Sequence, residues 1–266
     1  MTVINTYKWF LNKPYNVDTV IENVKKHWRN KEESYNSENE LKQILLDHGL
    51  NFREDSGKKI MKRLQEIKVW SLIKKYCLKY RRIWHGPDVP IFILPIDTNN
   101  RQLMKDTNGK SGVAFPAALF LFLSDIPTEK EIEALFVHEY HHVSRFHALK
   151  KKSYMTLLDS IVMEGLAEHA VLEYCGENYI TKCNKIYSEE QLKNWWKRWF
   201  YPNLSTRREK KLHDSLMYGR KMFPFMVGYS VGFFLISEFR KKENFSTKTF
   251  IGEPAETFLS YIDEIS

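Results

Sequence analysis

The chain has 266 residues, enough for one large domain or two small ones around a substantial core. An apolar content of 43% excludes an intrinsically disordered chain, and the lack of a fixed period or biased tract excludes repeat and fibrous architectures. The net charge of +8 is spread along the sequence, which reads as a solvated basic surface; weak attraction to nucleic acid, anionic lipid or acidic substrates stays open.

Cys77, Cys175 and Cys183 are odd in number and form no CxxC pair, which fits a reduced compartment rather than a disulfide framework. The N-terminus "MTVINTYKWFLNKPYNVD" is polar and interrupted, unlike a signal peptide. The longest apolar run, Val113 to Leu123, is too short for a bilayer and contains Pro116. A soluble, cytoplasmic protein with no membrane span is expected, and oligomeric state is not readable.

In chain order, residues 1–88 read as a helical N-terminal region. "VDTVIENVKKHW" places Val17, Val20, Ile21 and Val24 at helical spacing; "SENELKQILLDHGL" starts at a Ser37 cap and stops at Gly49; "SGKKIMKRLQEIKVWSLIKKYCLKY" reads as one longer amphipathic helix. "HGPDVP" breaks the pattern. "VPIFILPI" and "AALFLFLS" then read as buried strands separated by the turn-rich "DTNNRQLMKDTNGKSG". Helices resume to the C-terminus: "YSEEQLKNWWKRWFYP" with a Ser188/Gln191 capping box, "STRREKKLHDSLMYGR", the nearly apolar "PFMVGYSVGFFLISEF" and finally "EPAETFLSYIDEI". The predicted fold class is helix-rich α+β with a small central sheet, residues 89–266 forming a second domain or one unit with the first.

Four of the nine histidines fall within "ALFVHEYHHVSRFH". Thr128 and Glu131 make a capping box that starts a helix there. Residues four apart on a helix lie about 40° apart in azimuth and about 6 Å apart along the axis, so His138 and His142 can grip one cation. Zinc suits this pair, taking imidazole nitrogens at about 2.0–2.1 Å, and Glu139 beside it can take a proton from an activated water. His141 points about 100° away from His142 and is read as a neighbour. A metzincin extension fails, because Arg145 stands at its Gly position, Ala148 at its His position, and His147 is one residue off.

The missing ligand is sought in "TLLDSIVMEGLAEHAVLEYCG". Leu157, Ile161, Glu164, Glu168 and Val171 share one helical face, and two carboxylates on an apolar stripe need partners. Glu164 is assigned to the metal, and Glu168 to the second ring N–H of a ligand histidine. Gly165 would let this helix approach the histidine helix closely, the basic segment at about 150–155 being the loop between them.

H-E-x-x-H followed about twenty residues later by E-x-x-x-E resembles the gluzincin class of metallopeptidases. The chain more closely resembles the YjaZ-like family of predicted zinc-dependent proteases, through "LFVHEYHHVSR", "EGLAEHAV", "VGYSVGFFLI" and "GEPAETFLSY", over roughly residues 70–266. The resemblance implies a zincin-like core and hydrolysis of peptide or protein substrates at a zinc site of His138, His142 and Glu164, with Glu139 as general base. It also implies a Tyr or His that stabilises the oxyanion. Tyr229, flanked by Gly228 and Gly232, is the first choice, with Tyr218 and His213 as alternatives. Substrates would pair with a sheet edge near Gly112 and Val113. "NWWKRWFY" reads as a face packed on the core through Trp195, Trp196 and Trp199, and no nucleic-acid partner is expected. A catalytically silent zinc-stabilised interaction protein and a basic nucleic-acid-binding module are the competing readings.

Overall fold

The computed structural model describes residues 3–11, 15–28, 37–150 and 155–260. It is helix-rich α+β with one three-stranded mixed sheet, as predicted. The expected loop near 150–155 lies, at 151–154, outside the described residues, as do residues 261–266 of the last predicted element. Within that element, Ala255–Leu259 is a 3₁₀ turn. The chain divides into two compact units, Met1–Ser144 and Arg145–Ser266.

In the first unit, α1 (Val17–His27) opens on a capping box between Asn16 and Thr19 and buries Val17, Val20, Ile21 and Val24. α2 (Glu38–Asp47) opens on Ser37, whose side chain accepts from the Glu40 amide, and the chain turns at Gly49 with φ +99°. The predicted long helix is instead two, α3 (Glu54–Glu66) and α4 (Val69–Trp84), parted by Lys68 in the left-handed region at φ 57°. The break has a packing cause. In an unbroken helix Val69 would lie about 140° around from Leu64, yet both are fully buried, and the kink brings the two apolar stripes back into phase.

β1 (Ile91–Pro95) runs parallel to β3 (Ala118–Leu123), with Ile91 opposite Leu119. A parallel neighbour requires a crossover. The segment read as turn-rich begins it, containing α5 (Arg101–Thr107), capped by Asn100, and leading at its end into β2 (Lys110–Phe115). β2 pairs antiparallel with β3, placing Gly112 opposite Leu121, and forms an edge of the sheet in the order β1–β3–β2. β1 and β3 are wholly buried, whereas β2 is half-buried up to Phe115. That is why β1 and β3 read as continuous apolar runs and β2 did not. The N-terminal segment joins this sheet: the Ile4 amide donates to the Ile91 carbonyl at 2.9 Å, and Trp28 packs on Phe115 and Phe120.

α6 (Glu129–Leu149) is tied to α4 through Glu133. Its carboxylate accepts from Lys79 at 2.8 Å, Tyr80 at 2.6 Å and Lys130 at 2.8 Å. Burial opposes its charge, but these hydrogen bonds and the Lys79 charge outweigh it and hold the carboxyl down to about 2. A carboxylate depressed in the folded state adds stability above its unfolded pKa, near 4.5, and loses it as pH falls from there toward about 2. Glu133→Gln is expected to lower the unfolding free energy at pH 7 by about 2 kcal/mol. Urea titrations at pH 7 and pH 3 check this, the difference between variant and wild type shrinking at the lower pH.

In the second unit, α7 (Leu157–Tyr174) is buried on nearly every side, from Leu157 to Met163 and from Gly165 to Val171. It is thus a central helix rather than the one-sided stripe the spacing suggested, as an all-round apolar helix should be. α10 (Val227–Lys242) lies against it: a Cβ on Gly165 would sit 2.2 Å from the Gly232 carbonyl oxygen, and one on Gly232 would sit 2.1 Å from that of Ile161. The partner of Gly165 is therefore α10, a correction to the expectation that it faces the histidine helix. α8 (Glu189–Trp195) opens on the predicted Ser188/Gln191 box and passes into a π-helical turn, Trp196–Phe200. Trp196 and Phe200 are buried, and Trp195 and Trp199 pack on the same cluster, so this aromatic run serves the core as expected. α9 (Lys211–Tyr218) occupies only the end of its predicted segment. Cys77, Cys175 and Cys183 are buried. Among the described residues, no helix is long and apolar enough to cross a membrane.

Candidate metal centre

α6 begins as its sequence dictates. The Thr128 amide donates to the Glu131 carboxylate at 2.8 Å, and the Glu131 amide donates to the Thr128 hydroxyl at 3.3 Å. About three turns on, His138 and His142 turn their Nε2 atoms toward each other at 3.1 Å, their rings 87° apart. Two nitrogens at tetrahedral positions around one zinc would stand about 3.3 Å apart. His142 is 7% exposed and His138 is half-buried. His141, one residue from His142, is fully buried edge-on to Trp84, consistent with its reading as a neighbour.

Glu139 is also buried, at 7% exposure, and the edge strand β2 fits against it. A Cβ at Gly112 would lie 2.5 Å from the Glu139 Cγ and 2.7 Å from its Oε1. Any side chain at 112 would push the carboxylate aside. A glycine in a strand often marks such a close approach.

In the second unit, α7 starts from a capping box between Thr156 and Asp159. Glu164 is half-buried between buried Met163 and Gly165. The imidazole nitrogens of His138 and His142 and a carboxylate oxygen of Glu164 all lie within 4.8 Å of one another. Two imidazoles and one carboxylate are the donor types zinc takes, and their number leaves a fourth tetrahedral position for water or substrate. These residues fit the ion that the spacing predicted.

One turn beyond Glu164, the Glu168 carboxylate is 2% exposed and accepts three hydrogen bonds, from the Thr181 amide at 2.7 Å, the Thr181 hydroxyl at 2.8 Å and Asn184 at 2.9 Å. It fastens the 181–184 segment to α7, a role for which the sequence offers no spacing signal.

The three candidate oxyanion donors are placed as follows. Tyr229, in the first turn of α10, is half-buried, its ring centroid 6.1 Å from that of Tyr218. Its flanking glycines make the close contacts expected of them: Gly228 against Met217 of α9, and Gly232 against Ile161 and Gly165 of α7. Tyr218 ends α9, and partial burial together with the Glu164 carboxylate raises its phenol pKa. His213 is 3% exposed, and its two ring nitrogens face Ser160 at 2.9 Å and Asp214 at 3.1 Å.

Arg145 stands where the metzincin pattern has glycine. It is 1% exposed, donates to the Ile251 carbonyl at 2.9 Å and lies over the Phe258 ring. Two of the stretches that carried the family resemblance, "LFVHEYHHVSR" and "GEPAETFLSY", thus meet at this side chain.

With a group of this kind able to hold a metal ion, the chain belongs to the family described as "Predicted Zn-dependent protease (DUF2268)", whose model matches residues 69–260. It is 34% identical over 97% of its length to "Uncharacterized protein YjaZ" of Bacillus subtilis (strain 168), covering 98% of that protein. No solved structure matches.

Proposed function

We propose that the chain is a zinc-dependent peptidase of the gluzincin type, with a zincin-like core, in which His138, His142 and Glu164 hold the ion. The observation that carries this reading is the convergence of those three donors beside the buried carboxylate of Glu139. Zinc there would act as a Lewis acid, lowering the pKa of water toward about 7 and polarising a peptide carbonyl.

The chain's own residues supply the rest. Glu139 accepts the proton of the attacking water and delivers it to the amine as the carbon–nitrogen bond breaks, so the products are a carboxylate and a free amine. Gly112 keeps the space in which that carboxylate sits. Tyr229, with Tyr218 and His213 as alternatives, donates to the oxygen on which negative charge builds. The edge strand β2 offers its Gly112–Val113 backbone to an extended peptide. Glu168 acts behind the site, holding α7 and the 181–184 segment together.

The test is elemental analysis of protein purified without chelators. One zinc per chain is expected in the wild type, and less than about a tenth of that in His142→Ala, since losing one of three protein ligands leaves an incomplete site. Full zinc content in that variant overturns the ligand set.

A further inference from the structure

Lys and Arg occur along the whole chain, but the surplus of positive charge is local. Residues 53–85 hold eleven Lys or Arg against three Asp or Glu, a surplus of eight that equals the net charge of the whole chain, so the remaining residues balance. α4 carries five of those cations and no acidic residue. Its inward face is fixed by Val69, Ile73, Tyr76, Cys77, Tyr80 and Trp84, all buried. Ser71, Lys75, Leu78 and Arg82 recur at steps of four, three and four, which sets them in one stripe on the opposite, exposed face. Lys74 and Ile83 flank that stripe and complete a shallow depression along it. Two cations of the helix are already neutralised, Lys79 by Glu133 at 2.8 Å and Arg81 by Asp88 at 3.4 Å. Among the described residues, Lys74, Lys75 and Arg82 are in no ion pair.

A basic face commonly does no more than keep a protein soluble. This one differs because Leu78, 46% exposed, stands in the middle of the stripe among the unpaired cations. An exposed leucine gains little from water or from a phosphate backbone. The boundary between lipid headgroups and acyl chains, by contrast, accepts cations and an apolar side chain together. The aromatic residues of α4 that could stack on nucleic-acid bases are turned inward, Tyr76 and Tyr80 toward Phe136 and Trp84 toward His141. We propose that the exposed face of α4 docks the chain on an anionic lipid surface, with Lys74, Lys75 and Arg82 meeting lipid phosphates and Leu78 entering between the headgroups. With three unpaired cations and one leucine, the contact is weak, reversible and screened by salt. The inference is independent of the peptidase reading, since it uses none of the metal-centre residues.

The test is co-sedimentation of the full chain with vesicles of phosphatidylcholine, alone or mixed with phosphatidylglycerol. At about 0.1 M salt the chain should partition at least about tenfold more strongly onto the anionic vesicles, and the preference should vanish near about 0.5 M. K74S/K75S/R82S should lower the partition coefficient about 100-fold, each cation near such a surface being worth about fivefold. K197S/R198S/K211S removes the same charge from exposed positions of the second unit and should lower it by less than about threefold. L78S should lower it about fivefold at constant charge. All these positions are exposed, so melting temperatures should match wild type. Equal binding to both kinds of vesicle, an equal loss in the two triple variants, or unchanged binding by L78S overturns the inference. So does a duplex DNA of about 20 base pairs, or polyglutamate, that binds through Lys74, Lys75 and Arg82 while the anionic vesicles do not, which would assign the face to a polyanion instead.

Discussion

Glu139→Gln is expected to keep one zinc per chain and to lose peptide hydrolysis by about 10²–10⁴-fold, the contribution of a positioned general base. The two readouts separate because Glu139 stands outside the donor group of His138, His142 and Glu164. Glutamine is nearly isosteric with the glutamate, so it fits the space that Gly112 leaves open beneath the edge strand. What it lacks is a basic oxygen. Turnover equal to wild type, measured on a peptide library with zinc content determined in parallel, would remove Glu139 from the mechanism. Retained zinc with no cleavage by either protein would instead favour a catalytically silent, zinc-stabilised role.

The second large effect concerns stability. Gly232→Ala is expected to destabilise the chain by about 2 kcal/mol or more, although alanine is normally worth about 1 kcal/mol over glycine inside a helix. The added methyl would stand 2.1 Å from the Ile161 carbonyl oxygen and 3.2 Å from the Gly165 nitrogen, both backbone atoms of α7 that no side-chain rotation can clear. α7 and α10 must separate, and the core around Ile161, Val231 and Ile236 must repack. Gly57 is the control. It also lies inside a helix, but its added Cβ would make ordinary contacts of 3.5 Å with Tyr15 and 3.7 Å with Phe10. Gly57→Ala should therefore stabilise by up to about 1 kcal/mol. Melting temperatures that move in opposite directions meet the expectation. A Gly232→Ala protein as stable as wild type would refute the backbone contact.

Much of this was written locally. Capping boxes at Thr128/Glu131 and Ser188/Gln191 start helices where the spacing placed them, because a cap involves only residues three apart. The meeting of His138 and His142 follows from the helical repeat alone. Fully buried strands show as unbroken apolar runs, so β1 and β3 were legible. β2, half-buried and interrupted by Ser111 and Gly112, was legible only as the sheet edge expected near Gly112 and Val113, not as a separate strand. The break at Lys68 was hidden for a related reason, since each half of that stretch is a good helix and only the burial of both stripes demands a change of direction.

By itself, then, the sequence determined most of the helices, the starts of the capped ones and the residue types able to hold zinc and move a proton, since these depend on contacts within one or two turns. Tertiary structure decided that Gly165 meets Gly232, that Gly112 makes room for Glu139, and that Glu168 anchors Thr181 and Asn184. Those outcomes turn on which distant backbone surfaces approach within van der Waals distance, and no local period in a chain encodes that choice.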